Sequence, residues 1–302
     1  MPSSRETSRF FRVRVARITE LTPSFRRFTF AGDDLDEYGD PGFDQRIKIV
    51  FPSPAAGLDA MPVEGDWWTK WRELPDEARP PFRTYTTRAV RRKVREVDVD
   101  MVAHDVLGPA SAWIEGARPG DEVLIFAPTV DLTDVSFGVD FAPPARTGDY
   151  LLAGDETAAP AIAVILEQLP RDATGTVVLE VPTLADCAYL PRHPGFDFHL
   201  APRTGSDRHA HLVSATKAAA AVLTPEGHGD EVEEVDIDAG MLWEVPRTAK
   251  GGAALKKAPL YAWLAGEASA IKALRRHLVT ERGVDRRAVA FMGYWRTGRA
   301  EV

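Results

Sequence analysis

The segment RTYTTRAV, residues 83–90, has the residues of a β-strand but not the pattern of an ordinary one. β-Branched and aromatic residues favour strands, and a half-buried strand alternates apolar with polar side chains. This segment instead carries hydroxyls, a phenol and two guanidinium groups almost without interruption. It is therefore either an edge strand with solvated side chains or a strand that presents polar groups to a bound molecule.

The side chains of this segment suit a flat cofactor that carries phosphate. The guanidinium of Arg83 offers a planar fork that matches a phosphate group. The ring of Tyr85 can lie against a flat ring system. Thr86 can hydrogen-bond a ring nitrogen through its hydroxyl or its backbone N–H.

Short strands joined by turns dominate the chain on both sides of this segment. Residues 10–30 indicate two strands around a turn, and residues 45–52 and 122–128 indicate two more. Residues 53–81 are rich in Pro, Gly and Trp and indicate a loop excursion. This pattern is typical of an antiparallel barrel or sandwich.

A second polar feature follows in the same region. Residues 108–111, GPAS, open a predicted helix, and a glycine-containing turn at a helix start can cradle a phosphate. His104 comes just before it, after the alternating strand EVDVDMVAH (96–104). A lone histidine is usually structural or exposed, so His104 is a candidate only in combination with its neighbours.

The second half of the chain alternates strands with helices. This order predicts a parallel sheet covered by helices on both faces. FAPPARTGD (141–149) has the proline and glycine content of a linker, so we predict a first domain over residues 1–142 and a second over 149–302. Residues 225–258 are acidic first and Gly-Lys-rich later, and they indicate an insertion or a mobile loop.

Two strand-to-helix turns in the second domain resemble each other. LLAGDETAAPAI (151–162) places Gly154 after a buried strand, and WLAGEASAI (263–271) places Gly266 and Glu267 in the same way. Helix N-termini attract phosphate, and ligands of open α/β sheets bind at the carboxyl ends of strands. Neither turn has the GxGxxG pattern, so each alone is equally well an N-capped turn. Together they favour a nucleotide cleft.

Composition excludes several classes of function. The chain has 302 residues, of which 44% are hydrophobic and 27% charged, as in a soluble globular protein. Its net charge of −8 argues against nucleic-acid binding, and its one cysteine, Cys187, excludes a cysteine-ligated iron–sulfur cluster or zinc site within one chain. No long apolar run or signal-peptide pattern is present, so we expect no membrane span and a cytoplasmic location.

Five motifs in order resemble one known family. ELPDEARPPFRTYTTR, DVDMVAHDVLGPASAWIEGARPGDEV, LLAGDETAAPAI, WLAGEASAIKALRRHL and GYWRTGRAE closely resemble the siderophore-interacting proteins, a branch of the ferredoxin–NADP reductase superfamily. The resemblance runs from about residue 10 to the C-terminus. It implies an N-terminal antiparallel Greek-key β-barrel that binds FAD, followed by a C-terminal α/β parallel-sheet domain that binds NADPH or NADH.

The resemblance also implies a set of site residues. Tyr85 and Thr86 are expected at the reactive part of the flavin, and Arg83 at its phosphate region. Trp295 is expected to cover the flavin or the nicotinamide site, and the alternative is that it is a core or interface aromatic. The residues expected to bind cofactor or nucleotide are Arg83, Thr84, Tyr85, Thr86, Thr87, His104, Gly108, Pro109, Ala110, Ser111, Gly154, Asp155, Glu156, Thr157, Ala158, Gly266, Glu267 and Trp295.

The choice between NADPH and NADH is open. NADPH needs cations around its 2′-phosphate, and Arg203, just beyond the third strand of the second domain, is a candidate. It is equally a solvated loop arginine. Glu180 resembles the acidic ribose ligand of NAD sites, but it lies within an apolar strand, so we discount it.

The implied substrate is a ferric siderophore, and no metal site of the protein's own is expected. Siderophores hold Fe(III) with hard, mostly anionic oxygen donors, and Fe(II) suits such donors less well. An anionic complex calls for positive charge, and the basic candidates are Lys48, Arg296, Arg299 and Lys250. Lys48 is alternatively an outward-facing strand lysine.

The sequence thus predicts a flavin-dependent ferric-siderophore reductase that uses NAD(P)H, as a monomer or weak dimer. One alternative is a general NAD(P)H:flavin or diaphorase-type reductase of the same superfamily. Another is a siderophore- or flavin-binding carrier without turnover.

Overall fold

The computed structural model describes residues 7–103, 108–132, 138–204, 208–224, 227, 229, 242–248 and 251–298. The chain divides into two units, Met1–Gly138 and Val139–Val302. Three of the predicted site residues, His104, Lys250 and Arg299, lie outside the described residues. No helix in the described part of the chain is both long enough and apolar enough to cross a membrane.

An antiparallel sheet forms the described part of the first unit. Its strands are β1 (Ser8–Glu20), β2 (Phe25–Ala31), β3 (Arg46–Val50), β4 (Phe82–Thr86), β5 (Ala89–Arg91), β6 (Glu96–Val102) and β7 (Glu122–Pro128), and the helices are α1 (Trp67–Arg72) and α2 (Pro109–Gly116). The strands lie side by side in the order β4-β3-β7-β1-β2-β6-β5, and β4 also approaches β6, so the sheet curls into a half-barrel.

The segment RTYTTRAV is not one strand, as its composition predicts, but the end of β4 and the start of β5. These strands are the two edges of the sheet. The change of edge falls between Thr87 and Arg88: the N–H of Thr87 donates to the carbonyl of Gln45 beside β3, and the N–H of Arg88 donates to that of Asp98 in β6. The Thr87 hydroxyl also hydrogen-bonds the buried Tyr38 hydroxyl at 2.9 Å. The polar residues therefore turn the chain from one edge to the other.

The core of the first unit lies on the inner face of the half-barrel. Phe28 and Phe30 of β2 and Val97 and Val99 of β6 are fully buried there. Burying a side chain of this size contributes about 1.5–3 kcal/mol to stability. Trp113 of α2 packs against the same cluster. Helix α2 is thus attached to the barrel by its own aromatic residue.

The other face of β6 carries an acidic ladder, Asp98 and Asp100, whose carboxylates pair with arginines. Asp100 accepts two hydrogen bonds from Arg27 on β2, at 2.7 and 2.8 Å, and also pairs with Arg88. Asp98 accepts two from Arg91 on β5, both at 2.6 Å, and one from the Thr29 hydroxyl. Charge-assisted bonds of this kind are the strong ones. They fasten β6 to the strands on either side of it.

This ladder predicts a loss of stability in acid. Burial raises the pKa of Asp98, but the hydrogen bonds from Arg91 and Thr29 outweigh it, so the pKa lies below its usual value. The contribution of Asp98 is therefore full above the unfolded pKa of about 3.9 and is lost as the pH falls through the folded pKa. The free energy of unfolding should fall less between about pH 7 and pH 3 in Asp98→Asn than in the wild type. The same dependence on pH in both proteins would contradict this.

A mostly parallel sheet forms the second unit. Its order is β10-β9-β8-β12-β13-β11, and all neighbours are parallel except β11 against β13. The predicted order of a β-barrel followed by an α/β sheet is therefore confirmed. The strands are β8 (Arg146–Asp155), β9 (Thr174–Val181), β10 (Phe196–Pro202), β11 (Trp243–Glu244), β12 (Lys257–Glu267) and β13 (Val289–Trp295), and the helices are α3 (Ala159–Gln168), α4 (Ala210–Leu223) and α5 (Ala268–Arg276).

Strand β11 lies in the region predicted as an insertion or mobile loop. It is held at the edge of the sheet by Trp243, whose ring stacks on Tyr294 of β13 at 5.6 Å. Its Glu244 pairs with Arg275 of α5 and with Arg286. A two-residue strand carries no periodicity, so the sequence offered no signal for it.

The predicted linker, residues 141–149, is instead packed into the second unit. Phe141 is buried with its ring 6.1 Å from that of Tyr150 and 5.5 Å from that of Tyr261. The N–H of Ala142 donates to the Tyr261 hydroxyl at 2.9 Å, and β8 already begins at Arg146. This proline-containing segment therefore belongs to the second unit and leads directly into its sheet.

Candidate functional site

The order of strands in the second unit reverses between β8 and β12. From β8 the chain moves outward through β9 and β10, and it then returns to β12 on the other side of β8. Ligands of open α/β sheets bind at the carboxyl ends of the strands at such a point. The predicted turns at Gly154 and Gly266 both lie at this edge, at the ends of β8 and β12.

Asp155, at the end of β8, joins the ends of three strands. Its carboxylate is fully buried and accepts four hydrogen bonds from described residues. Two come from Thr157, through its N–H at 2.9 Å and its hydroxyl at 2.5 Å. The others come from the N–H of Glu267 at 2.9 Å and the indole N–H of Trp295 at 2.8 Å. Trp295 is therefore held by Asp155, an anchor that the sequence did not predict.

Gly266 leaves room for this carboxylate. Its φ of 149° is a conformation that glycine favours, and an added Cβ would lie 2.6 Å from Oδ2 of Asp155. We expect Gly266→Ala to lower the free energy of unfolding by roughly 2–5 kcal/mol, through strain and the displaced carboxylate. Denaturant unfolding followed by tryptophan fluorescence measures it.

Gly252→Ala is the matched control for this substitution. An added Cβ at Gly252 meets only the Thr248 hydroxyl, at an ordinary 3.6 Å. Equal stability of the two variants would show that the close approach at Asp155 does not matter.

Glu267 caps the helix that follows β12. Its carboxylate accepts hydrogen bonds from the N–H groups of Ser269 at 2.7 Å and Ala270 at 3.2 Å, and its other oxygen from the N–H of Thr297 at 3.3 Å. Burial raises the pKa of Glu267, but these bonds and the Ser269 hydroxyl outweigh it and lower the pKa. Glu267 therefore holds the start of the helix and Thr297 in place through its side-chain carboxylate.

A buried ion-pair cluster lies beside Asp155. Arg203 pairs with Glu156 and with Glu180, whose Oε1 is 3.4 Å from the guanidinium. Glu180 also accepts from the N–H groups of His209 at 2.8 Å and Leu212 at 3.1 Å, so it caps helix α4. Arg203 is therefore neither a solvated loop arginine nor an unpaired cation awaiting a 2′-phosphate. Both carboxylate oxygens of Glu180 thus have partners within the protein.

The pKa of Glu156 in this cluster lies above the usual value of a carboxyl group. Burial raises it, the charge of Asp155 raises it further, and Arg203 opposes both, which leaves a pKa of about 7. Perturbed carboxyls in clefts are common at functional sites.

His209 is a residue of this edge that the sequence did not single out. It is buried, with a φ of 72°, and its ring lies edge-on to Trp295 at 5.7 Å. Neither ring nitrogen has a hydrogen-bond partner among the described residues. In the sequence it is one polar residue before an alanine-rich helix, which carries no signal.

In the first unit, Arg83 and Tyr85 share the inner face of edge strand β4. Their register partners on β3 are Ile49 and Ile47, both core residues. The Arg83 guanidinium donates to the carbonyl of Phe82 at 2.7 Å and forms no ion pair with any described residue. The Tyr85 ring lies edge-on to Phe51 at 6.4 Å.

The start of helix α2 is open in the way that a phosphate site requires. Gly108 is the N-cap residue and has no side chain, and a Cβ added there would meet no atom of a described residue within 4 Å. Pro109 has no N–H, and no described residue accepts from the N–H groups of Ala110 and Ser111. Such donors at a helix N-terminus bind anions.

The start of α2 and the inner face of β4 are connected by aromatic contacts. Trp113 of α2 lies 5.2 Å from Phe51, which in turn contacts Tyr85. Trp113 and Phe51 thus link helix α2 to Tyr85 on β4, the strand that also carries Arg83.

Other predicted residues lie on the opposite face of the same strands. Lys48 pairs with Thr84 in the ladder, and its Nζ lies 4.9 Å from the centre of the Phe82 ring. Thr86 is buried on that face, so contact with a ligand beside Tyr85 falls to its backbone. Thr87 serves the turn described above.

Arg296, half-buried, follows Trp295 in the second unit.

Comparison with known proteins shows what this arrangement is similar to. The sequence profile of the siderophore-interacting FAD-binding domain matches residues 14–132, and that of the siderophore-interacting protein domain matches residues 147–298. Ferric vibriobactin reductase ViuB of Vibrio cholerae is 32% identical over 168 residues, which are 55% of this chain and 56% of that protein. An NADPH-dependent ferric-chelate reductase of Escherichia coli is 30% identical over 64% of this chain and 71% of its own length.

Solved structures give the same result. The crystal structure of a siderophore utilization protein from T. fusca matches with a TM-score of 0.71 and 28% identity, and the match covers 98% of this chain and 96% of that one. The two matched domains account for nearly all of the described residues. The chain therefore belongs to the siderophore-interacting protein family.

Proposed function

We propose that this protein is a flavin-dependent ferric-siderophore reductase, which carries electrons from NAD(P)H through FAD to Fe(III) in a siderophore. The observation that carries the proposal is a pair of anion-binding groups in the first unit. The first N–H groups of α2 have no acceptor among the described residues, and Arg83 has no carboxylate partner among them. This lies within the domain that matches the family's FAD-binding profile. Reductases of ferric chelates among the relatives support the acceptor.

The residues of the first unit fit FAD. Its pyrophosphate is an anion, and the N–H groups of Ala110 and Ser111 together with Arg83 supply donors for it. Gly108 leaves space in front of those donors. Tyr85 supplies an aromatic face for the isoalloxazine ring. Bound there, FAD would supply the chemistry that links a two-electron hydride donor to one-electron acceptors.

The second unit fits the nucleotide donor. The carboxyl ends of β8 and β12 lie at the reversal of strand order, where nucleotides bind in such sheets. Asp155, Glu267 and Trp295 are fixed to one another there by the hydrogen bonds described above. These residues orient the donor and take no part in proton transfer.

The acceptor step follows from coordination chemistry. One NAD(P)H supplies two electrons and releases one proton, and two Fe(III) complexes each accept one electron. Fe(II) suits hard anionic oxygen donors less well than Fe(III), so reduction loosens the metal. We propose that this happens in the cytoplasm, where reduced nicotinamide nucleotides are supplied.

An anaerobic assay with a ferrous trap tests the proposal. Protein loaded with FAD is mixed with NADH or NADPH and a ferric siderophore, and Fe(II) is captured by ferrozine. Fe(II) formation that requires protein, FAD and donor supports it. Flavin reduction without Fe(II) from any ferric siderophore would favour the general reductase, and no flavin reduction by either donor would favour the carrier.

Lys48 provides a test of how the substrate is held. It is half-buried on the face away from Tyr85, so its charge can serve an anionic complex without serving FAD. We expect Lys48→Ala to raise KM for an anionic ferric siderophore by roughly two- to fivefold, the effect of about 0.5–1 kcal/mol from a partly exposed charge pair. Flavin reduction by NAD(P)H should not change.

Lys93→Ala, at an exposed turn of the same unit, is the control. Equal losses in both half-reactions of Lys48→Ala would contradict the assignment.

A further inference from the structure

A groove at the amino ends of β8 and β12 carries three cationic side chains. Arg146 begins β8, Lys257 begins β12, and Lys256 precedes it. The groove has a volume of about 870 Å³. Its other lining residues are apolar, namely Pro143, Ala145, Ala253 and Leu255. Part of it belongs to the Gly-Lys-rich stretch for which the proposed function has no use.

These cations have no counter-charge within the described part of the chain. The side chains of Arg146, Lys256 and Lys257 are exposed, and none forms an ion pair or a hydrogen bond with a described residue. Elsewhere Arg91 and Arg203 each pair with two carboxylates. In a chain of net charge −8, this groove therefore concentrates positive potential.

The sheet holds the cations close together. Arg146 and Lys257 are direct register partners on neighbouring parallel strands, and the N–H of Arg146 donates to the carbonyl of Lys256 at 3.2 Å. Like charges placed side by side across two strands destabilise a sheet. A bound anion removes that repulsion, so the fold itself favours one here.

The groove is separate from the Asp155 site. Arg146 and Asp155 are the first and last residues of β8, and a strand rises about 3.3 Å per residue, so roughly 30 Å lie between them. A nucleotide at the carboxyl ends of the strands leaves this groove open.

We propose that the groove binds a small multivalent oxyanion, a molecule with at least two phosphate or carboxylate groups. Three cationic side chains suit a ligand with several negative groups better than a ligand with one negative group. The volume is that of a small-molecule site, and Pro143 and Leu255 provide contact for the body of the ligand.

Calorimetric titration of the FAD-loaded protein tests this with two probes. Inorganic tripolyphosphate represents a phosphate ligand, and ferric citrate represents a carboxylate chelate. The variant is Lys256→Gln/Lys257→Gln, and the control is Lys217→Gln/Lys272→Gln on helices α4 and α5 of the same unit. We expect saturable binding of at least one probe, weakened tenfold or more in the variant, unchanged in the control, and weaker at higher salt.

The choice of probe identifies the ligand. Binding of tripolyphosphate alone assigns a phosphate ligand, and binding of ferric citrate alone assigns a carboxylate one. No saturable binding of either probe, or equal weakening in variant and control, overturns the proposal. Reduction of the flavin by NAD(P)H serves as a separate readout and should be the same in the wild type, the variant and the control. Failure of the groove proposal therefore gives a different result from failure of the proposed reductase function.

Discussion

Replacing Arg83 by alanine is expected to weaken FAD binding by roughly 10- to 150-fold. Arg83 lies on the inner face of an edge strand, beside the Tyr85 ring, without a carboxylate partner among the described residues. A hydrogen bond to a charged group contributes about 1.5–3 kcal/mol, which gives this range. Equilibrium titration of apoprotein with FAD, followed by flavin fluorescence, measures the change directly.

Arg14→Ala is the matched control. Arg14 is likewise a strand arginine of the same sheet with no ion pair to a described residue, but it is exposed where Arg83 is half-buried, and it lies on β1, away from Tyr85. Its FAD affinity should equal that of the wild type. If Arg83→Ala also binds FAD as the wild type does, the phosphate role of Arg83 is wrong.

Two substitutions of Tyr85 separate the contribution of its ring to FAD binding from that of Arg83. Tyr85→Phe keeps an aromatic face and should retain FAD, whereas Tyr85→Ala should lose it on dialysis. Similar retention in both variants would show that no stacking occurs at this position.

Replacing Asp100 by alanine is expected to cause the largest loss of stability in the first unit. Its carboxylate is fully buried and is shared by Arg27 and Arg88. Removing one partner of a buried pair leaves uncompensated charge and costs about 3–5 kcal/mol. Since domains are stable by only about 5–15 kcal/mol, this variant should be partly unfolded at room temperature or unfold at low denaturant.

Glu115→Ala supplies the comparison for Asp100. Glu115 pairs with Arg26 at 3.4 Å on the surface, and such pairs contribute less than about 1 kcal/mol. Urea unfolding followed by tryptophan fluorescence should separate the two variants clearly. Equal midpoints would show that the acidic ladder of β6 does not fasten the half-barrel.

RTYTTRAV shows how far composition can predict the fold. Its residue types predicted extended chain and a binding role, and β4 bears Arg83 and Tyr85 on one face. The break after Thr86 could not be predicted, because it depends on hydrogen bonds to Gln45 and Asp98, which are distant in sequence. Thr87 and Arg88 are explained by those bonds and by Tyr38 and Asp100.

Long periodic elements were predictable, and residues whose roles depend on tertiary contact were not. The alternating strand at residues 96–102 and the two glycine turns carry local signals. The pairing of Arg203 with Glu156 and Glu180 joins the ends of different strands, and no spacing in the sequence reveals it. The same holds for the burial of Phe141, because the prolines beside it are typical of a linker.

A single anaerobic cycle of the bound flavin tests the central claim most directly. The visible absorbance of FAD-loaded protein is followed while one equivalent of NADH or NADPH is added and then a ferric siderophore in small steps. We expect the absorbance to fall with the donor and to return fully after two equivalents of Fe(III), with two equivalents of Fe(II) trapped. Absorbance that falls with the donor but does not return on addition of any ferric siderophore would contradict it.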